Sequence, residues 1–232
     1  LAKLRDEGYH PDIIISHGGW GDSLAIRELF SGTVFLGYNE FFYHFTKADH
    51  GFDSEFASYT DHDSGRIAIH NSIQLLDLHQ QDWGISPTWW QWSVLPSHAR
   101  SRTSVIHDGI DTDQIRPYAD ELRLERRGLV FRTGDELVTY TSRNFDHYRG
   151  FHILMRMIPE LQRLRPKAHI IIIGGRERGY GISPPISTMS WKDYMLKEVG
   201  PYIDSTRVHF LESVSHSTLH KVFRVSACHV YL

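Results

Sequence analysis

Two pairs of side chains in this sequence have types and positions suited to chemistry. Arg143 and Arg149 lie just before Gly150, where a β-forming segment gives way to an amphipathic one. Guanidinium groups beside the free N–H groups of a helix start form an anion pocket, because the helix dipole and the unpaired donors favour negative charge. His17 and Glu40 each follow an apolar segment, and their side chains are types that transfer protons.

Both arginines lie in the connection between a predicted strand and a predicted helix. Residues 137–140 are uncharged β-formers, which is typical of a strand covered on both faces. Gly150 stands where the chain must bend tightly into the helix. Apolar residues then recur at three- and four-residue steps, which predicts one helix face made of Phe151, Leu154, Met155, Ile158 and Leu161. The alternative interpretation is that both arginines are solvated loop residues.

His17 and Glu40 are predicted to stand at the ends of two buried strands. Residues 11–19 form an apolar run that ends in His17-Gly18-Gly19, and residues 33–37 form a second run, followed by Tyr38, Asn39 and Glu40. Ligands of parallel sheets bind beyond the carboxyl ends of the strands, and glycines there let a ligand approach the backbone. The alternative is that both side chains only decorate loops.

The other elements of the first half follow from periodicity. Helices are predicted over residues 22–30 and 67–82, and residues 41–66 form an aromatic and acidic loop that resembles a lid. The apolar face of the second helix is predicted to contain Ile69, Ile73, Leu75 and Leu76. Three tryptophans, Trp89, Trp90 and Trp92, could stack on a sugar ring, but we expect them to pack under a neighbouring helix.

Composition indicates a globular protein and excludes some function classes. The 232 residues suffice for one large domain or two ordinary ones. The net charge of -3 gives no electrostatic footprint for nucleic acid. No apolar run reaches the length of a membrane span. The single cysteine, Cys228, rules out an internal disulfide and favours a reducing, cytoplasmic location.

Strands and helices alternate along the chain, which predicts two α/β lobes with parallel sheets. We expect an N-terminal domain over residues 1–117, a charged linker over residues 118–136 and a C-terminal domain over residues 137–232. The arginine loop would then lie at the carboxyl end of the first strand of the second lobe.

Three sequence patterns could suggest a metal ion, and we expect none of them to bind one. His216 and His220 lie four residues apart on a predicted helix, but no third ligand follows from spacing. The Asp-x-Asp patterns Asp61-His62-Asp63 and Asp111-Thr112-Asp113 fit a manganese-dependent glycosyltransferase. The first pattern lies in an acidic loop, and Asp111 is a candidate helix cap, which explains the second pattern without metal.

The order of motifs closely resembles the retaining nucleotide-sugar glycosyltransferases of family 4, in which two facing Rossmann-like domains form the GT-B arrangement. The resemblance covers nearly the whole chain. Five short sequence motifs carry the resemblance, and it is their order over two lobes that makes them specific for the family. The markers are the strand that ends in His17-Gly18-Gly19 and the segments at residues 104–111, 142–151, 173–175 and 208–211.

The resemblance implies that a nucleotide-diphosphate sugar is held in the cleft, mainly by the second lobe. Arg143 matches the diphosphate-binding arginine of the family, and Arg149 replaces its usual lysine, which keeps the charge and adds planar, bidentate geometry. His17 and the Asn39–Glu40 corner would face the sugar and the acceptor. The expected catalytic residues are Arg143, Arg149, His17 and Glu40, and the further expected donor contacts are Gly18, Gly19, Gly150, Gly174, Leu211 and Val214.

The resemblance also implies a mechanism and a set of partners. The sugar would be transferred with retention, by same-face attack in which the donor phosphate accepts the proton of the acceptor, without a cofactor. The acceptor could be a saccharide, a lipid or a small molecule. The arginine cluster over residues 123–127 hints at peripheral contact with an anionic membrane surface.

The sequence departs from the family pattern at both ends. Family members usually begin with a strand and a glycine-rich loop, and they carry two glutamates eight positions apart after the strand that ends here at Leu232. Neither feature is present. We therefore expect this chain to be a fragment without activity of its own. The alternatives to a glycosyltransferase are a sugar-nucleotide epimerase of the same architecture and a non-catalytic nucleotide-binding remnant.

Overall fold

The computed structural model describes residues 1–45, 51, 53–56, 61–124, 128–177, 179 and 181–232, with residues 61 and 62 described by their backbone alone. The chain divides into two compact units, Leu1–Gly109 (unit 1) and Ile110–Leu232 (unit 2). Within the described ranges, no helix combines the length and the apolar character needed to cross a bilayer.

Unit 1 is built on a four-stranded parallel sheet with strand order β1-β2-β3-β4. Its strands are β1 (Ile13–His17), β2 (Val34–Tyr38), β3 (Trp83–Ser86) and β4 (Thr103–Val105), and its helices are α1 (Ala2–Asp6), α2 (Ile26–Leu29), α3 (Asp61–Gln80), α4 (Trp89–Val94) and α5 (Ser97–Arg100). The predicted strands are confirmed. The helix predicted over residues 22–30 is confirmed only at residues 26–29, because the chain forms turns before it.

The apolar face predicted for α3 is wrong. Ile69 is 72% exposed and Leu76 is 51% exposed, whereas Asn71 and Asp77 are buried. The buried polar groups are paired: the Asn71 amide bonds to the backbone of Tyr43 at 2.8 and 3.1 Å. Long-range hydrogen bonds therefore decide which face of α3 is covered, and the spacing of apolar residues does not reveal them.

Unit 2 contains a second parallel sheet, with strand order β10-β7-β8-β9, and a separate hairpin of strands β5 and β6. Three helices connect the strands of the parallel sheet. The strands are β5 (Glu121–Leu124), β6 (Leu129–Arg132), β7 (Leu137–Asn144), β8 (His169–Gly175), β9 (Val208–Leu211) and β10 (Cys228–Val230), and the helices are α6 (Phe151–Leu164), α7 (Trp191–Val199) and α8 (His216–Val225).

The strand–loop–helix unit predicted around the two arginines is confirmed, but the strand is longer than predicted, so Arg143 lies within the strand and only Arg149 lies in the turn before the helix. The strand is β7, and α6 begins at Phe151, directly after Gly150. Phe151, Leu154 and Met155 of the predicted apolar face are fully buried. The isoleucines of β8 are buried as well, as a strand covered on both faces should be.

The segment predicted as a linker instead belongs to unit 2, except for residues 125–127, which lie outside the described residues. Leu122 of β5 and Phe131 of β6 are buried in a cluster with Leu137 and Ile171 of the sheet. Charged residues occupy the exposed side of the hairpin, where Arg123 and Arg132 both pair with Glu121. The segment was predicted to be a linker because it is rich in charged residues. Its apolar residues alternate with these, and in the hairpin they form one face that packs against the sheet.

The boundary between the units lies after Gly109 rather than at residue 117, because contacts with α8 attach the following residues to unit 2. Arg224 donates to the carbonyl of Gln114 at 2.8 Å and pairs with Asp120 at 3.3 Å. Its guanidinium lies 3.8 Å from the centre of the Tyr118 ring. These contacts fix residues 114–120 to unit 2.

We predict that Asp77→Ala destabilises unit 1 by about 3 kcal/mol, because the buried carboxylate accepts hydrogen bonds from Gly19 N–H and from the Ser23 hydroxyl. Urea unfolding followed by tryptophan fluorescence measures this, since five of the six tryptophans belong to unit 1. The exposed Glu28→Ala serves as the control and should change stability by less than about 0.5 kcal/mol. Equal effects of the two substitutions would contradict the prediction.

Candidate functional site

The carboxyl edge of the unit 2 sheet brings together the predicted donor-binding segments. Arg143 lies near the end of β7 and is exposed, with no hydrogen bond or ion pair to another described residue. Asn144 pairs in register with Gly175 at the end of β8, and Ile173 pairs with Leu211 at the end of β9. Arg149 is exposed as well, and its guanidinium is 3.4 Å from the Tyr231 hydroxyl.

A short turn between β7 and α6 fixes the backbone of Arg149. The Asp146 carboxylate accepts the Arg149 N–H at 3.1 Å, and the buried Tyr140 hydroxyl donates to the Arg149 carbonyl at 2.7 Å. Burial raises the pKa of the Asp146 carboxyl above its usual value. Both backbone groups of Arg149 are therefore bound, and its side chain extends from an anchored position.

Gly150 is required at the start of α6 for two reasons. Its φ of 64° lies in the left-handed region, and a Cβ there would collide with the side chain of Leu232. No side chain caps the helix. The Phe151 N–H donates to the Asp146 carbonyl at 3.3 Å, so the start of α6 favours an anion beside Arg149 mainly through the helix dipole.

Gly174, Leu211 and Val214 lie at the same sheet edge but are packed. A Cβ on Gly174 would lie 2.9 Å from the Ser142 carbonyl oxygen and would clash with the Phe145 ring. Leu211 and Val214 are partly buried against the hydrophobic cluster that contains the hairpin. The backbone of these residues can contact a ligand, and their donor contacts stay predictions.

Lys192 is a third cation at this sheet edge, and it was not predicted from the sequence. It lies in the first turn of α7 and is 9% exposed, with its ammonium 4.0 Å from the centre of the Phe210 ring. Burial, and after it the nearby Arg176, lowers the pKa of Lys192. Phe210 also contacts Phe145, which follows the arginine strand. Nothing in the apolar spacing of α7 distinguishes this lysine from a surface residue.

His17 and Glu40 meet at the carboxyl edge of the unit 1 sheet. His17 ends β1, Glu40 follows β2, and Nε2 of His17 is 2.6 Å from Oε2 of Glu40. Both side chains are more than 40% exposed. The predicted strand-end positions therefore bring the two side chains into contact, and the pair is accessible to a ligand.

Trp20 contacts the other nitrogen of His17, and the sequence analysis missed it. The indole Nε1 of Trp20 is 2.9 Å from Nδ1 of His17. An indole N–H can only donate, so Nδ1 must be the acceptor and the proton of the neutral imidazole lies on Nε2. His17 then donates to Glu40, and only the carboxylate keeps an oxygen free to accept another proton.

The two glycines after His17 are held by polar groups. Gly19 has a φ of 91° and donates its N–H to Asp77 at 2.6 Å. A Cβ on Gly18 would lie 3.2 Å from the amide oxygen of the buried Asn39. A crevice lined in part by Gly18, Gly19 and Glu40 is about as large as one water molecule.

Tyr38 borders the same pair. Its ring centre lies 5.8 Å from that of His17, and its hydroxyl donates to Asp108. Burial and the Asp108 carboxylate raise the pKa of Tyr38 to about 12. The phenol therefore stays neutral and donating at any physiological pH.

The remaining predicted candidates lie elsewhere. Asp111 accepts hydrogen bonds from the backbone of Asp113 and Gln114, both at 3.1 Å, as the predicted cap requires. The side chains of Asp61 and His62, and residues 126 and 127 of the arginine cluster, lie outside the described residues. His216 and His220 lie on α8, where the described chain brings no third potential ligand to them.

The packing predicted for the tryptophans of α4 is wrong for two of them. Trp89 and Trp90 are exposed, whereas Trp92 is half-buried and donates to the carbonyl of Arg100 at 3.1 Å. Trp90 contacts Phe41, the residue after Glu40, with ring centres 6.0 Å apart. The short α4 presents too narrow a face to bury three adjacent indoles.

We predict that His17 is held as the Nε2–H tautomer and that Trp20→Phe combined with Glu40→Ala removes this preference, because each partner alone favours a proton on Nε2. Long-range ¹H–¹⁵N correlation spectra of histidine-labelled protein distinguish the tautomers, and His17→Gln assigns the signal. Trp83→Phe is the control, because the Trp83 indole donates to Ser104 instead. An Nδ1–H signal for His17 in the unchanged protein would contradict the assignment.

We predict that Tyr140 ionises about two pH units later than an ordinary tyrosine, because burial raises its pKa to about 12. Because burial favours the neutral phenol, the contribution of Tyr140 to the stability of the fold is complete below pH 10 and is lost as the pH rises toward 12. Tyrosinate absorbance, with circular dichroism to verify folding at each pH, measures this. Tyr140→Phe should remove one late-titrating group, and an unchanged late phase would refute the prediction.

Solved structures share this fold at low sequence identity. A UDP-forming α,α-trehalose-phosphate synthase from Burkholderia xenovorans is similar over 99% of this chain, with a TM-score of 0.62 and 14% sequence identity. The matched region is 55% of the length of that protein. TarM of S. aureus matches 99% of this chain with 38% of its own, at a TM-score of 0.58 and 14% identity. A putative UDP-N-acetylglucosamine 2-epimerase from Listeria monocytogenes matches 98% with 53% of its own, at a TM-score of 0.52 and 14% identity.

These likenesses confirm the predicted fold class, α/β with Rossmann-like lobes of the GT-B type. The chain spans between about two fifths and a little over half of the length of these three structures. No curated protein sequence matches it. Residues 1–115, which comprise unit 1 and the first residues of unit 2, match the model of the Glycosyl transferase family 4 group.

Proposed function

We propose that this chain is part of a glycosyltransferase that moves a sugar from a nucleotide-diphosphate sugar to an acceptor hydroxyl. The family match of residues 1–115 and the shared fold support transfer of this kind. The observation that carries the proposal is the carboxyl edge of the unit 2 sheet, where exposed Arg143 lies near the end of β7 and exposed Arg149 directly precedes Gly150 and the start of α6.

Glycosyl transfer requires the carboxyl edge of the unit 2 sheet to stabilise the leaving group. As the glycosidic bond breaks, negative charge develops on the nucleotide diphosphate, and fixed donors that face it lower the barrier by about 3 kcal/mol each. Arg143 and Arg149 supply charged donors, and the start of α6 supplies the positive end of the helix dipole. The two guanidiniums match the two negative charges of the diphosphate in the donor, and the helix dipole favours the further charge that develops as it leaves, so the proposal requires no metal and no cofactor.

Lys192 would reinforce the same site. Its pKa is lowered by burial and by Arg176, and a bound diphosphate would oppose both effects. Ligand binding should therefore raise the pKa of Lys192. Its contact with Phe210 holds the ammonium beside the end of β9.

Retention of configuration belongs to the proposal as well. The family resemblance supports attack on the same face as the leaving group, with the departing phosphate accepting the proton of the acceptor hydroxyl. The His17–Glu40 pair would hold hydroxyl groups of the sugars, since His17 is neutral and its Nε2–H is engaged by Glu40. Gly18 and Gly19 would allow close approach of a ligand to the backbone.

A sugar-nucleotide epimerase is the second candidate. The likeness to the Listeria monocytogenes protein and the short His17–Glu40 contact favour it, because epimerisation needs an acid and a base beside the sugar. Product analysis of the longer protein separates the two functions: a glycosyltransferase consumes an acceptor, and an epimerase returns an altered donor. A non-catalytic module would produce neither.

The experiment that tests the proposal is calorimetry of the 232-residue chain with UDP, GDP and ADP. We expect at least one diphosphate to bind, and Arg143→Ala to weaken it at least tenfold, because a charge-assisted hydrogen bond contributes about 1.5–3 kcal/mol. The matching monophosphate should bind more weakly than the diphosphate.

Arg163→Ala is the matched control for this experiment. Arg163 lies in the last turn of α6, is exposed and pairs with Glu160, so its loss should leave nucleotide affinity unchanged. The proposal fails if none of the three diphosphates binds, or if Arg143→Ala and Arg163→Ala have the same effect.

A further inference from the structure

We propose that the carboxyl edge of the unit 1 sheet is an oligosaccharide-binding platform, formed by His17, Trp20, Glu40, Phe41 and Trp90. The inference rests on the proposed function and specifies the acceptor: a saccharide chain rather than a lipid or a small molecule. The five residues are called the strand-end platform below.

The centre of the strand-end platform is polar and accessible. Glu40 accepts from His17 at 2.6 Å, and both side chains remain more than 40% exposed. A carboxylate has about four acceptor positions, so Glu40 can take further hydrogen bonds from sugar hydroxyls. The Tyr38 hydroxyl adds a neutral phenol beside the pair.

Exposed indoles flank this centre on both sides. Trp20 follows β1, is 67% exposed and is held by its hydrogen bond to His17. Trp90 is the second residue of α4, which follows β3; it is 54% exposed and contacts Phe41, the residue after Glu40. The sequence of contacts from Trp20 through His17, Glu40 and Phe41 to Trp90 is therefore continuous.

This arrangement fits the two kinds of surface on a sugar. The C–H face of a pyranose packs on an aromatic ring, while its hydroxyl edge needs hydrogen-bonding groups at the side. The two indoles follow β1 and β3, which are separated by one strand, so the strand ends lie roughly 10 Å apart. A ligand that reaches from the end of β1 to the end of β3 passes the end of β2, which leads to Glu40, and this favours a chain of sugars over a single ring.

The charges beside the strand-end platform argue against a membrane surface as its occupant. Glu40 and Asp108 are carboxylates, and Asp108 accepts from Tyr38 next to the pair. An anionic bilayer recruits clusters of lysine and arginine and repels carboxylates. Exposed indoles beside acidic groups are better matched to a neutral polar ligand.

The test begins with a glycan array that presents α- and β-linked oligosaccharides of hexoses and N-acetylhexosamines. The chain is labelled with a fluorophore at Cys228, which is exposed and belongs to unit 2. The best-bound glycan is then titrated into protein labelled with 5-fluorotryptophan, whose ¹⁹F resonances report the six tryptophans separately. We expect the Trp20 and Trp90 resonances to shift together.

Substitutions give the quantitative outcome. Trp20→Ala and Trp90→Ala should each weaken glycan binding about five- to tenfold, in the range expected for loss of a stacked ring. Trp89→Ala is the matched control, because Trp89 is an equally exposed neighbour that contacts Trp92 instead of Phe41. Its affinity should stay within twofold of the unchanged chain.

Three results would overturn the proposal: no bound glycan on the array, affinity unchanged by both Trp20→Ala and Trp90→Ala, or tryptophan shifts induced only by phosphatidylglycerol-containing vesicles. The last result would assign the surface to a membrane. Nucleotide calorimetry on the same preparation separates this failure from failure of the proposed function, since diphosphate binding depends on residues of unit 2.

Discussion

The turn between β7 and α6 determines where the cations of unit 2 can act. Gly150 adopts a left-handed conformation that redirects the chain into the helix, and Asp146 and Tyr140 bind the N–H and the carbonyl of Arg149. Fixing both backbone groups anchors the base of the side chain, and its guanidinium contacts the Tyr231 hydroxyl at 3.4 Å. A diphosphate would therefore meet a charge whose backbone position needs no reorganisation, which favours electrostatic stabilisation.

Unit 1 uses the same geometric rule for different groups. The ends of its parallel strands carry His17 and Glu40, an imidazole and a carboxylate in place of the arginines of unit 2. The rings of Trp20 and Tyr38 lie next to His17. Asp77 is buried beneath it and fixes the glycine turn through the N–H of Gly19. One sheet edge is thus suited to anions, and the other to hydroxyl-rich ligands.

The sequence was most informative where one periodic signal dominated. The strand β7, the apolar face of α6 and the strand-end positions of His17 and Glu40 were predicted, because uninterrupted apolar runs and strand ends have simple geometric consequences. The face of α3 was not predicted, because Asn71 and Asp77 are buried through partners distant in sequence. Lys192 was missed for the same reason, because only the fold brings Phe210 to it. Trp20 was missed although it lies three residues after His17, because no spacing pattern reveals the hydrogen bond of its indole.

The most direct test of the central claim, that the start of α6 binds the leaving diphosphate, is to map the amide resonances of the ¹⁵N-labelled chain during titration with UDP, GDP or ADP. The account predicts that the largest shifts occur at Asn144, Arg149, Gly150 and Phe151, with smaller ones at Gly175. Shifts confined to residues around His17 and Glu40, or no shifts with any of the three nucleotides, would contradict it.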